Sequence, residues 1–168
     1  ERGRFPTAIE RARVEKGREP RSQTVISFFA DPPVDSAEGE RISAATTVLQ
    51  TRLRDMLRED LGQTYTVSVG LSQGLPQRGG GHMQVNFGAA PENIQAMTDR
   101  VLGEVQRLRR EGPSADLVAN AKETARRGYE TSLKENNYWL RRLQTSQMYG
   151  TPVEEILTRA ARIDAVTP

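Results

Sequence analysis

Two kinds of hydrophobic spacing alternate through the first half of the chain. Residues 24–30, 65–73 and 82–88 are rich in β-branched or aromatic residues or alternate apolar with polar positions, which predicts three strands. Glycine-rich residues between the last two indicate a hairpin. A further short strand is expected near Ile9–Val14. Between the first two main strands, apolar residues recur at intervals of three and four and predict a helix over roughly 37–60: Ile42, Ala45, Leu49, Leu53, Met56 and Leu57.

Helical spacing dominates the second half. Pro91 is expected to start a helix with one apolar stripe, formed by Ile94, Met97, Val101, Val105 and Leu108. Ser114 is predicted to cap the next helix, whose stripe is Leu117, Ala121, Ala125, Gly128 and Leu133. Final helical regions are expected at 137–149 and 152–165. The order predicts an α+β fold: a ferredoxin-like sandwich with an antiparallel-rich sheet and helices on one face.

Composition narrows the class of protein. The 168 residues suit one domain, and no apolar run approaches the length of a membrane span. The net charge of +2, with basic and acidic residues intermixed, gives little support for nucleic-acid binding. The absence of cysteine excludes disulfides and thiolate metal sites, and is compatible with both bacterial periplasm and cytoplasm. Because the first residue is not methionine, we expect the chain to be a single domain cut from a longer protein.

The sequence offers few candidates for a metal site or for a nucleophile paired with a histidine. His82 is the only histidine, and neither H-E-x-x-H nor H-x-x-E-H occurs, so the chain is predicted to hold no zinc centre of its own. No G-x-S-x-G motif accompanies His82, and a lone histidine near a glycine-rich turn is expected to be a surface residue.

The junction between the long helix and the second strand is the main candidate site. Arg58 is predicted in the last helical turn, Gly62 just past the helix, and Tyr65 at the start of the strand. A guanidinium and a phenol at one corner could bind a carbonyl or an oxyanion. The alternative is that the positive charge of Arg58 interacts favourably with the negative end of the helix dipole, and that Tyr65 packs at the edge of the core. Tyr65 shares strand parity with Val67, which favours the core face unless the strand is bulged there.

The same junction resembles the L-R-E-x-x-G-x-x-Y-S-V signature of the insulinase/pitrilysin family of zinc metallopeptidases, in the sequence LREDLGQTYTV at 57–67. The resemblance extends to KGREP at 16–20, FGAAPE at 87–92 and LKENNYWL at 133–140, in the family's order. The chain is similar to the C-terminal domain of one half of such an enzyme, in the pitrilysin-like bacterial branch.

This resemblance implies the functional expectations. Arg58 and Tyr65 would contact the peptide substrate and stabilise the tetrahedral intermediate, as an accessory part of a zinc endopeptidase. Zinc would be bound by an N-terminal domain or partner subunit, and this fragment alone would be inactive. Asn137 and Tyr138 are candidates for substrate contact, although an aromatic anchor between helices is an alternative.

Two other functions remain open at this level. The domain could be a scaffold or partner-binding module from a family member that has lost its metal site. A ferredoxin-like RNA binder is disfavoured, because the strands lack an aromatic stacking signature.

Overall fold

A three-stranded sheet forms one layer of the protein. The structure, a computed structural model, describes residues 8–17, 20–30, 35–61, 66–72 and 81–168, and the side chains at 30 and 57–61 are outside that description. Strands β1 (Ser22–Ala30), β2 (Val67–Ser72) and β3 (Gly81–Ala89) lie in the order β1-β3-β2. Both outer strands are antiparallel to β3, so they run in the same direction. The first helix therefore makes a crossover from one sheet edge to the other.

Six helices of very different lengths accompany the sheet in the described residues. A 3-10 turn at Pro91–Asn93 precedes the second helix. The helices are α1 (Ser36–Leu61), α2 (Ile94–Glu111), α3 (Ala115–Ser132), α4 (Asn136–Tyr149), α5 (Glu154–Leu157) and α6 (Arg159–Asp164).

The strand register separates an apolar face from a more polar one. Val85 of β3 is paired with Ile26 on one side and Val69 on the other, and Phe87 is paired with Val67 across β2. This face packs against α1 and α2, forming one core cluster with Leu49, Leu53, Ala89, Met97 and Val101. The α+β prediction, with helices on one face of an antiparallel sheet, is confirmed.

Helix α1 is the central element. Leu49 and Leu53 are buried against the sheet, whereas other positions of α1 contact α3 and α6. A small crevice between these helices is lined by Ala44 and Thr47 of α1, and by Ala121, Ala125, Ile163 and Val166. Because α1 has packing partners on both sides, its orientation is fixed by the sheet and by the helical layer together.

Several predicted details differ from the structure. The prediction of a strand near Ile9–Val14 is wrong: this segment has no regular structure, and the side chains of Ile9 and Val14 are more than four-fifths exposed. A segment does not form a strand where no neighbouring strand or core receives it. Strand β2 begins at Val67, and Thr66 before it is not in the strand, while the predicted first residue Tyr65 lies outside the described residues. Most of the predicted hairpin turn, residues 73–80, lies outside the described residues.

The buried face of α3 is also rotated relative to the predicted stripe. Ser114 caps the helix as expected, since its hydroxyl accepts a hydrogen bond from the Leu117 N–H. The buried residues, however, are Val118, Ala121 and Tyr129, while Gly128 is exposed. Tyr129 can be buried because its hydroxyl donates to the Ile156 carbonyl at 2.8 Å, which satisfies its polar end.

Candidate functional site

The predicted helix-to-strand corner is described on both of its flanks. Helix α1 continues to Leu61, so Arg58 belongs to its last turn, although the Arg58 side chain is outside the described residues. Tyr65 is also outside them, two positions before β2 begins at Val67. The order of helix, junction and strand therefore agrees with the sequence interpretation, and the roles of Arg58 and Tyr65 stay predictions.

Gln50 connects the two flanks of this corner directly. Its Nε2 donates a hydrogen bond to the Val67 carbonyl at 3.1 Å, and its Oε1 accepts one from the Val69 N–H at 2.6 Å. One side-chain amide thus satisfies two backbone groups on the edge of β2 that faces away from β3. The contact fixes the start of β2 against α1.

The nearly buried carboxylate of Glu104 on α2 joins that helix to Arg52 of α1. Glu104 accepts hydrogen bonds from Arg52 Nε at 2.9 Å and from Arg107 Nε and Nη2 at 2.9 and 2.7 Å. The Arg107 hydrogen bonds, together with those from Arg52 and against the effect of burial, hold the pKa of Glu104 below its ordinary value of 4.5. This cluster keeps a charge in the core by pairing it twice.

Asn137 and Tyr138 lie in the first turn of α4. Asn137 is exposed. The half-buried Tyr138 ring makes edge contacts with Tyr129 at 6.3 Å and with Trp139 at 5.9 Å between ring centroids, and Arg142 lies over it at 5.5 Å. These contacts show an aromatic anchor between α3 and α4, the packing role considered above. Substrate contact by Asn137 or Tyr138 remains a prediction.

The single histidine lies at the start of β3. His82 is half-buried and its ring is 6.0 Å from that of Phe29 on β1, on the sheet face opposite the core. Among the described residues, no three His, Cys, Asp or Glu side chains form a cluster able to hold a metal ion. The residues of this part of the chain therefore do not fit a zinc site.

No helix in the described ranges is both long and apolar enough to cross a membrane.

Sequence reasoning did not identify Gln50 or Glu104. Glu104 carried a usable signal: it lies three positions after Val101 on the predicted apolar stripe of α2, with Arg107 three positions further on. Gln50 carried none, because a glutamine in a polar stretch of an amphipathic helix has the same pattern as a solvent-facing residue.

A family model decides which proteins this chain is related to. The model described as the peptidase M16 inactive domain matches residues 3–125, most of the chain. The chain belongs to the peptidase M16 inactive-domain family. This confirms the resemblance to zinc metallopeptidases found in the sequence. In this M16 domain the matched region contains the sheet, α1, α2, the Arg58–Tyr65 junction and Gln50.

Individual relatives are much longer proteins. The domain is 33% identical over 150 residues to a protein of Arabidopsis thaliana named "Zinc protease PQQL-like". The match covers 83% of this chain but only 15% of that relative. The periplasmic protease PqqL from Escherichia coli shares its fold with a TM-score of 0.75 at 20% identity, over 89% of this chain and 17% of that one. The peptidase M16 inactive domain from Pseudomonas fluorescens gives a TM-score of 0.74 at 18% identity, over 88% and 35%.

Proposed function

We propose that this M16 domain is an accessory part of a zinc endopeptidase, in which it lines the peptide chamber and supplies Arg58 and Tyr65 to the substrate. The observation that carries the proposal is that the family match spans the junction where these residues lie seven positions apart, between α1 and β2. Its peptide substrate and its zinc-bearing partner domain or subunit are part of the same proposal. Support comes from the relative named as a zinc protease.

The proposed role requires only hydrogen-bond donors and a positive charge from Arg58 and Tyr65. When a peptide bond is hydrolysed, negative charge develops on the carbonyl oxygen as the carbon becomes tetrahedral. A tyrosine hydroxyl donates one hydrogen bond to that oxygen, and a guanidinium adds a permanent positive charge with several donors. In the proposal Tyr65 and Arg58 together stabilise the developing oxyanion and hold the substrate backbone.

Any metal must come from elsewhere in the protein. The sequence has one histidine and no cysteine, and the described residues hold no ligand cluster. Dividing the donors from the metal between domains would make hydrolysis depend on how the domains approach each other.

The test is peptide hydrolysis by the full-length protein carrying Arg58→Ala or Tyr65→Phe. Each variant is expected to lower turnover by about 10²-fold, the usual effect of removing one oxyanion donor. Arg54→Ala is a matched control for the first variant, because Arg54 is an exposed arginine one turn earlier on α1. Tyr149→Phe, in the last turn of α4, is the control for the second.

Two outcomes would contradict the proposal. Unchanged hydrolysis in both variants would remove the assigned roles of Arg58 and Tyr65. A full-length protein without peptidase activity would favour the scaffold function instead. The isolated 168-residue domain is expected to show no zinc-dependent hydrolysis.

A further inference from the structure

We infer that Gln50 is a positioning residue for the Arg58–Tyr65 pair, holding the two flanks of the corner in a fixed relation. The inference rests on the proposed function for its catalytic consequence. Its structural basis is separate, since all atoms of the Gln50 contact belong to described residues.

The side chain of Gln50 makes the kind of hydrogen bonds with β2 that a neighbouring strand would make. Its amide donates to the Val67 carbonyl and accepts from the Val69 N–H, as the backbone of a neighbouring strand would do. β2 is an edge strand of the sheet, bonded to β3 on its other side. The carboxamide therefore bonds to the first part of the β2 edge that faces away from β3, and does so from the helix that precedes the corner.

The location of this contact along the chain gives it a role beyond packing. Gln50 lies eight positions before Arg58 on the same continuous helix, and Val67 lies two positions after Tyr65. The contact thus closes a loop over residues 50–67 that contains both proposed substrate-binding residues, Arg58 near its middle and Tyr65 close to its β2 end. Arg58 and Tyr65 must reach the same carbonyl, and a displacement of about 1 Å can cost about 10²-fold in rate.

A purely structural role would be filled by an apolar side chain of similar size. Methionine has nearly the length of glutamine and can fill the same half-buried space, but it cannot bond to Val67 and Val69. The two backbone groups would then be left to water at the sheet edge, which costs little overall stability but loosens the start of β2. Because the amide is uncharged, its effect on rate should not change with pH.

The experiment uses the full-length protein with Gln50→Met and the matched control Gln84→Met. Gln84 is also half-buried, but it lies on the outer face of β3, where its amide donates to the Ser27 hydroxyl at 3.2 Å. Gln50→Met is expected to lower kcat by about tenfold and to leave KM within about twofold, because it disturbs geometry more than binding. Amide exchange of residues 66–72 should accelerate in this variant alone.

A double-mutant cycle separates positioning from a general loss of structure. If Gln50 acts through Tyr65, Gln50→Met should have little further effect on kcat in a Tyr65→Phe background. An equal tenfold loss in both backgrounds, or a Gln50→Met rate matching that of Gln84→Met, would overturn the inference while leaving the proposed function standing. Failure of the proposed function shows instead in the single variant: if Tyr65→Phe and Arg58→Ala hydrolyse peptides normally, both proposals fall.

Discussion

The two ends of α1 are held by different chemistry. At its N-terminal end, Glu40 accepts hydrogen bonds from Arg159 Nε at 2.7 Å and Nη2 at 3.4 Å, and the Ser36 hydroxyl donates to Glu155. In the C-terminal half of α1, just past its middle, the neutral amide of Gln50 binds β2. The Arg159–Glu40 contact pairs two charges through two guanidinium nitrogens, whereas the Gln50 contact pairs a neutral donor and acceptor with the backbone of β2. The first contact therefore adds charge attraction to its alignment, and the second acts through alignment alone.

The two ends also differ in where their partners lie along the sequence. The partners of Gln50 are within residues 3–125, the part matched by the family model. The partners of Ser36 and Glu40 are in α5 and α6, beyond it. A single helix therefore joins the matched core to a helical layer outside the match, and each contact can be broken without removing the other.

The largest expected effect comes from Leu53, which lies three residues after Gln50 on α1 and belongs to neither of the two contacts. Leu53 is fully buried against the sheet, so Leu53→Ala leaves a cavity and should cost about 3 kcal/mol of unfolding free energy. Urea-induced unfolding measures this loss. Leu140→Ala, at a leucine that is 55% exposed on α4, should cost no more than about 0.5 kcal/mol. Similar losses in the two variants would show that Leu53 is not part of the core.

The next effect isolates the buried charge that joins α1 to α2. Glu104 is 8% exposed, but its partners Arg52 and Arg107 are 38% and 35% exposed and can be rehydrated. Glu104→Gln should therefore cost about 2 kcal/mol at neutral pH, less than a fully buried pair would. Chemical unfolding at several pH values gives the measurement.

The pH dependence of that loss has a definite sign. The folded-state pKa of Glu104 lies below its ordinary value of 4.5, so the ionised carboxylate stabilises the fold above about pH 4.5. This stabilisation is lost as the pH falls through the lower, folded-state pKa. The difference between unaltered protein and Glu104→Gln should thus narrow below about pH 4.5. Glu123→Gln, in an exposed pair with Arg127, should show little difference at any pH.

The smallest effect tests the N-terminal end. Glu40 and Arg159 are 12% and 22% exposed, and Glu40→Gln keeps one acceptor oxygen for the guanidinium, so the expected cost is about 1 kcal/mol. Hydrogen exchange should increase in residues 154–164 but not in 66–72. Glu38→Gln, at an exposed position of the same helix, serves as control. Faster exchange in 66–72 would mean that the two ends of α1 are not independent.

The sequence was most informative where periodicity and burial coincide. The long run of three-and-four spacing identified α1 to within one residue at each end, and the pattern over 82–88 identified β3. It failed at Ile9–Val14, because the residues of one segment cannot reveal whether a partner strand exists. It missed the rotation of α3, because burial of Tyr129 depends on a carbonyl in α5, distant in sequence.

The candidate site was predictable only as a position. Local spacing and family resemblance placed Arg58 and Tyr65 at a helix-to-strand junction, and the described flanks agree with it. The contact between Gln50 and β2 could not be predicted, because a side-chain amide that completes a strand edge is specified by tertiary packing and not by any local pattern.

The length of α1 has a mechanical meaning. Its 26 residues form one uninterrupted rod of about 39 Å. Rotating such a rod by about 3° around one tip carries the opposite tip through about 2 Å. Because the sheet and the helical layer hold this rod on both sides, Glu40 and the proposed substrate-binding Arg58 are kept about 27 Å apart along one axis.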